Sequence, residues 1–343
     1  MPPQRRAARP TAERRDPRAK KSAAKSAHPK PTVVIVGAGR LGSALAVALE
    51  ACGYHVVALV ARQRAHARRA ARLLHAQPLA LAASELAQLP ASDILIIATP
   101  DDQIAATAAR LAAALPVDAT LRGDATTGRT RLKRLRVALH VSGALSSDAL
   151  APLRARGFAV GSLHPLVSVS DPRENAKDFR DAFYCVEGDA DAVRAARQLV
   201  RSLGGQAFNI AARDKALYHA SAVMVAGHAV ALFDLATELL TRCGLTRSDA
   251  RRALVSLARG TLSNLAHART NADALTGPFA RADAATIRRH VKAISSLADE
   301  RDALAAYVAL GRRSLLLAAA RGAGVRALEE IRNYLNEIDG ARR

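Results

Sequence analysis

This chain has no tryptophan, and aromatic residues make up only 3 % of it. Alanine, leucine and valine must therefore fill its cores, a composition that favours helices. Cysteine is scarce as well. Cys52, Cys185 and Cys243 stand far apart and form no C-x-x-C pair, which argues against a metal site and against a disulfide framework and suits a reducing compartment. Uninterrupted apolar runs of about 18 residues or more are missing, so no membrane span is expected. No apolar segment follows the charged N-terminus, so no secretory signal is expected either. A cytoplasmic chain with no bound metal is the expectation from these absences.

Acids are few: 30 Asp and Glu stand against 51 Lys and Arg, a formal net charge of +21. The excess is uneven. Residues 1–31 hold ten Lys and Arg and six prolines, with Glu13 and Asp16 as the acids. Without apolar periodicity this segment reads as a disordered basic tail. It is either a solubilising extension or an arm with weak affinity for polyanions such as nucleic acid. A second basic run, Arg129 to Arg136, reads as a surface loop.

Half of the residues are hydrophobic, and 343 residues are too many for one ordinary core, so two domains are expected. The ordered chain opens at Thr32. Val33 to Val36 is a β-branched apolar run, as in a strand buried on both faces. Gly37-Ala38-Gly39-Arg40-Leu41-Gly42 follows at once and matches G-x-G-x-x-G. Leu41, Leu45, Ala48 and Leu49 then share a helix face, Gly53 stops that helix, and Tyr54 to Val60 forms the next strand. Strand, glycine turn, helix and strand in this order make a dinucleotide-binding βαβ unit. Gly37 permits the tight turn, Gly39 lets backbone approach a pyrophosphate, and Gly42 lets the helix pack on the strand. The backbone N–H groups at Arg40 and Leu41 would face the phosphates at the positive end of the helix.

The end of the second strand decides the cofactor. An NAD site places Asp or Glu there for the ribose 2′-hydroxyl. This chain has Val60-Ala61-Arg62-Gln63-Arg64 and no acid. Guanidinium grips a 2′-phosphate that a carboxylate would repel. Arg62, with Arg64 behind it, therefore points to NADP.

Further strands are expected at Ile94 to Ala98, Val137 to Val141 and Phe158 to Leu163, ending in Thr99, Ser142 and His164. Ligands of an open parallel sheet bind outside these carboxyl ends. Asp101 or Asp102 is expected to cap the helix after Thr99. Phe183 to Val186, Ala190 to Leu203 and Gln206 to Ile210 read as strand, helix, strand. From there the pattern is helical: Asp214 to Leu240, Arg247 to Ala268, Asp283 to Ala298, Arg301 to Ala320 and Val325 to Glu337. The first of these is apolar nearly all round and is expected to be central and buried. Lys215 and His219 share one of its faces and are candidates for proton transfer. The fold class is thus α/β then all-α: a doubly wound parallel Rossmann sheet over 32–211 and a helical bundle over 212–343.

Five motifs in order carry a family resemblance: the glycine loop, His140-Val141-Ser142-Gly143-Ala144-Leu145-Ser146, Gly161-Ser162-Leu163-His164-Pro165-Leu166, Lys215-Ala216-Leu217-Tyr218-His219, and Leu275-Thr276-Gly277-Pro278 with Arg281 and Asp283. From Thr32 to Leu335 the chain resembles a bacterial family in which a Rossmann-like domain precedes the domain of unknown function 2520. That family sits within the 6-phosphogluconate-dehydrogenase-like group, with pyrroline-5-carboxylate reductase and ketopantoate reductase. The resemblance implies an NADP(H)-dependent oxidoreductase acting on a small carbonyl or imine acid, ketopantoate being the first to test. It implies a helical domain that supplies substrate contacts, here Thr276, Gly277, Arg281 and Asn264, and often a homodimer interface. It places Lys215, His219, Ser142 and His164 as the catalytic candidates. A non-catalytic NADPH-binding sensor or partner protein is the other reading.

Overall fold

In a computed structural model, residues 30–115, 136–297 and 301–340 are described. Most of the basic tail and all of the second basic run except Arg136 lie outside them.

The chain divides into two compact units, Met1–His219 and Ala220–Arg343. The first is built on an eight-stranded sheet in the order β3-β2-β1-β4-β5-β6-β7-β8. Its strands are β1 Thr32–Val36, β2 His55–Ala61, β3 Leu79–Ala82, β4 Ile94–Ile97, β5 Val137–His140, β6 Ala159–Pro165, β7 Phe183–Gly188 and β8 Gln206–Asn209. All pair in parallel except β6 with β7. The helices among them are α1 Arg40–Ala51, α2 Arg64–Ala71, α3 Asp101–Ala114, the short α4 Ala151–Arg154 and α5 Pro172–Asn175, and α6 Ala190–Leu203. β3 has no counterpart in the sequence reading, because four residues of leucine and alanine carry no β-branched signal.

The sheet is covered on both faces, which is why β1 is apolar throughout. Val33 and Ile35 pack with Leu45 and Leu49 of α1 and with Leu199 of α6. Val34 and Val36, one step out of phase, pack with Ile104, Ala108 and Leu111 of α3. Full burial of a leucine contributes about 1.5–3 kcal/mol, so Leu45 and Leu49 fix α1 firmly against the sheet. The strand order reverses between β1 and β4, and the glycine loop and Thr99 follow those two strands. That switch point is where doubly wound sheets bind ligands.

The remaining helices are α7 Lys215–Val225, α8 Gly227–Arg242, α9 Arg247–His267, α10 Asn271–Ala274, α11 Gly277–Ala280, α12 Ala284–Ser295, α13 Arg301–Ala320 and α14 Val325–Gly340. Asp283 caps α12 by accepting from the Thr286 N–H, as its position predicts. Ile287, Val291, Val308, Leu315, Ile331 and Leu335 make the core of this unit.

The long apolar helix departs from expectation twice. It is divided into α7 and α8 at Ala226. It is also exposed rather than buried: Leu217, Met224, Val225 and Val230, with Leu257 and Leu262 of α9, are between 63 % and 76 % accessible. All-round apolarity signals that a helix will be covered, and among the described residues nothing covers these side chains. By length and composition alone, 212–242 and Arg301–Ala320 could each cross a membrane, a feature that the count of uninterrupted apolar residues did not reveal. The second of these contributes Val308 and Leu315 to the helical core.

Candidate functional site

Gly37 takes a positive φ of 111°, and a methyl group there would overlap the carbonyl of Ala98 and the nitrogen of Thr99. Only glycine lets the loop lie so close to the end of β4. Gly39 differs. Its backbone is extended, and a Cβ there would meet nothing within 4 Å, so open space adjoins the start of α1. Neither a side-chain cap nor an acid occupies that helix start, which leaves its N–H groups for an anion. Gly42 presses on the Gly37 carbonyl, with no room for a side chain. Arg40 is exposed and Leu41 half-buried at the first turn. Thr99 Oγ1 is buried beside this loop and has no hydrogen-bond partner among the described residues. An orphaned hydroxyl of this kind suits a ligand that would complete it.

Arg62 is exposed just beyond β2. Arg64 is engaged elsewhere: its guanidinium pairs with Glu85, its Nε 3.0 Å from Oε2. Glu85 also accepts from the Ala82 N–H at 2.7 Å.

The next strand end is pinned by side chains. Ser142 Oγ donates to Asp101 Oδ2 at 2.7 Å and accepts from the N–H groups of Ala144 and Leu145, both at 3.1 Å. Asp101 therefore ties β5 to α3 and does not cap α3; the N-cap is Pro100, which has no side chain able to do so. His140 is fully buried. Its Nδ1 accepts from the Ser142 N–H at 3.2 Å and its Nε2 donates to the Ser146 carbonyl at 3.0 Å. Burial, followed by the Lys215 charge, pushes its pKa down to about 4.

Lys215 is almost wholly buried, with 1 % of its surface accessible. Its Nζ donates to the Ser142 carbonyl at 3.2 Å and to Ser162 Oγ at 2.9 Å. Ser162 lies 3.5 Å from Glu187 Oε2, and Glu187 accepts from the Ser147 hydroxyl and N–H at 2.7 and 2.8 Å. This chain of polar contacts fixes β5, β6 and β7 to the start of α7. Burial lowers the Lys215 pKa, while nearby Cys185, Glu187 and Asp101 oppose that shift.

One turn further along α7, His219 meets His164 edge-on, with ring centroids 5.4 Å apart. Both rings crowd the position a Cβ would take on Gly143. His219 Nδ1 is buried and has no hydrogen-bond partner among the described residues. His164 Nδ1 is 2.7 Å from the Tyr218 hydroxyl. The first unit thus brings Ser142, His164, Lys215 and His219 into one cluster at the strand ends that also carry the glycine loop and Thr99. Thr276, Gly277, Arg281 and Asn264 belong to the second unit: Thr276 is the N-cap of α11, Gly277 opens that helix at φ 83°, Arg281 closes it, and Asn264 is exposed on α9. The sequence reading missed Tyr218, Glu187, Ser162 and Ser147, and took Asp101 only for a cap. Tyr218 stands beside His219 in a quoted motif, so adjacency was its one available signal.

Residues 17–165 match the model of a Rossmann-like domain, and residues 182–314 match the domain of unknown function DUF2520. The chain carries a Rossmann-like domain followed by a DUF2520 domain. No functionally curated protein matches the sequence. A Bacteroides fragilis protein described as a candidate NADP oxidoreductase is similar in fold, with TM-score 0.64 and 19 % identity over 83 % of this chain and 98 % of that one. A Thermotoga maritima protein gives TM-score 0.61 and 21 % identity, over 84 % of this chain and 99 % of that one. A Plasmodium falciparum pyrroline carboxylate reductase with NADP bound gives TM-score 0.52 and 11 % identity, over 85 % of this chain and all of that one.

Proposed function

We propose that this Rossmann-like/DUF2520 chain binds NADP(H) at its glycine loop and reduces a small carbonyl or imine acid. The observation that carries the reading is the open space at Gly39, at an uncapped helix start flanked by the orphaned Thr99 hydroxyl. The residues present fit the cofactor. The α1 N–H groups would hold the pyrophosphate, Arg62 the 2′-phosphate, and Thr99 Oγ1 the nicotinamide half. Arg64, held by Glu85, would add only a longer-range positive charge. The names of the similar Bacteroides and Plasmodium proteins, both tied to NADP, support the same reading.

Bound NADPH would supply a hydride. The protein's part is to place the acceptor and deliver a proton. Lys215 has both of its contacts inside the protein, so we assign it to holding the Ser142 turn, together with the bond between Ser142 and Asp101. His219 then delivers the proton to the oxygen or nitrogen of the reduced bond. We also infer a soluble, cytoplasmic homodimer in which a second copy covers the apolar faces of α7, α8 and α9.

The test is NADPH consumption with a panel of 2-keto acids, ketopantoate first, and cyclic imines. Turnover of at least one acid is expected, with His219→Leu lowering kcat by about 10² to 10⁴ while NADPH affinity is kept. Tight NADPH binding with no turnover across the panel would replace the enzyme by a cofactor-binding sensor.

A further inference from the structure

Tyr218 lies on α7 between Lys215 and His219, and its hydroxyl reaches His164 Nδ1 at 2.7 Å. The two rings meet edge-on at 5.5 Å, and Phe208 packs on the same phenol ring at 5.8 Å. His164 sits near the end of β6, opposite Cys185 of β7. Its charged and titratable neighbours are His219, Lys215 and Tyr218 from α7 and His140 from β5. These surroundings settle where the protons are. Burial, then the charges of His219, Lys215 and His140, depress the His164 pKa to about 3, so the imidazole is neutral near pH 7. Burial raises the Tyr218 pKa, so the phenol keeps its proton. A neutral imidazole nitrogen accepts better than a phenol oxygen, and a phenol is the better donor. The Tyr218 O–H therefore donates to Nδ1, and the ring proton of His164 resides on Nε2. That Nε2 is 2.9 Å from where a Cβ would stand on Gly143, next to the unpartnered Nδ1 of His219.

We propose that Tyr218 is a positioning residue that holds His164 as the Nε2–H tautomer, aiming that N–H at a carbonyl or carboxylate oxygen of the substrate beside Gly143. This rests on the reading of the site as that of a reductase. A neutral imidazole in such a role polarises an oxygen without surrendering its proton, which leaves proton delivery to His219. It also gives Gly143 a purpose: any side chain there would displace both rings.

The test is long-range ¹H–¹⁵N spectroscopy of the full chain with ¹⁵N-labelled histidine, from pH 5 to 8. His164 is expected to stay neutral throughout, with the proton on Nε2. Tyr218→Phe, which keeps the ring packing on Phe208, should leave His164 neutral but exchanging between tautomers. A proton on Nδ1 in the unmodified protein, or an imidazolium forming within this range, would overturn the proposal, and neither result depends on the variant folding. An unchanged Nε2–H tautomer in folded Tyr218→Phe would overturn it equally. An NADPH titration of the same labelled sample reads the underlying function separately: the predicted tautomer without cofactor binding would sink the reductase and leave the assignment of Tyr218 standing.

Discussion

Strand β1 and the α7–α9 region both carry many apolar side chains, yet these end in opposite environments. Val33 to Val36 are buried because α1 and α6 cover one face of the sheet and α3 the other. Met224, Val225, Val230, Leu257 and Leu262 are just as apolar and stay exposed. An apolar pattern states that a surface will be covered and does not state by what. Within the sheet, the covering helices come from the same chain. On α7–α9 no described residue covers those side chains, and exposed apolar surface of this kind suits an interaction site.

The sharpest way to break this contrast is at the glycine loop, where the account expects the largest effect. Gly39→Val adds a side chain in open space on extended backbone, so the fold should keep its melting temperature. NADPH binding should fall at least about 100-fold, because the added methyls occupy the pyrophosphate site. Unimpaired binding in the folded variant would move the cofactor elsewhere.

The exposed side of the contrast is tested by charge. Leu257→Glu with Leu262→Glu should convert a dimer to monomers in sedimentation at micromolar concentration, since both side chains face water in one copy and would be buried between two. Secondary structure should persist. A monomeric unmodified protein would mean that something other than a second copy covers these helices.

A smaller effect probes the buried side. His140 and His164 are held neutral in the fold, with pKa values of about 4 and about 3. In the unfolded chain they titrate near about 6.5. Between those values the unfolded state binds more protons, so the stability that the neutral rings contribute above pH 6.5 is lost as the pH falls towards 4. His140, fully buried, should contribute a slope of about 1.4 kcal/mol per pH unit in that window, read from denaturant midpoints. A flat profile from pH 6.5 to 4.5 would show that the ring reaches water or a counter-charge.

Legibility in the sequence followed the same division. The glycine loop, the strand ends at Thr99, Ser142 and His164, and the Asp283 cap are local signals, and the structure has them where the pattern put them. Asp101 was legible only as a cap, because its bond to Ser142 joins residues 41 positions apart. Glu187 and Ser147 carried no local signal, and Ser162 had only its place in the motif with His164, since their contacts with one another and with Lys215 exist only once β5, β6 and β7 are side by side. Arg64, expected behind Arg62 at the 2′-phosphate, is instead engaged by Glu85, which β3 and the turn after it place against its guanidinium. The exposure of α7 and α8 was illegible for a different reason: periodicity shows that a helix is apolar and does not show whether its own chain covers it.

The central claim, an NADP(H) site at the switch point of the sheet with Arg62 as its selector, is tested most directly by calorimetric titration of the full chain with NADPH and with NADH. The account predicts NADPH bound at least about tenfold more tightly, equivalent to about 1.4 kcal/mol from one charge-assisted contact. Arg62→Ala should close most of that gap while leaving NADH affinity nearly unchanged. Equal affinities for the two cofactors in the unmodified protein would contradict it.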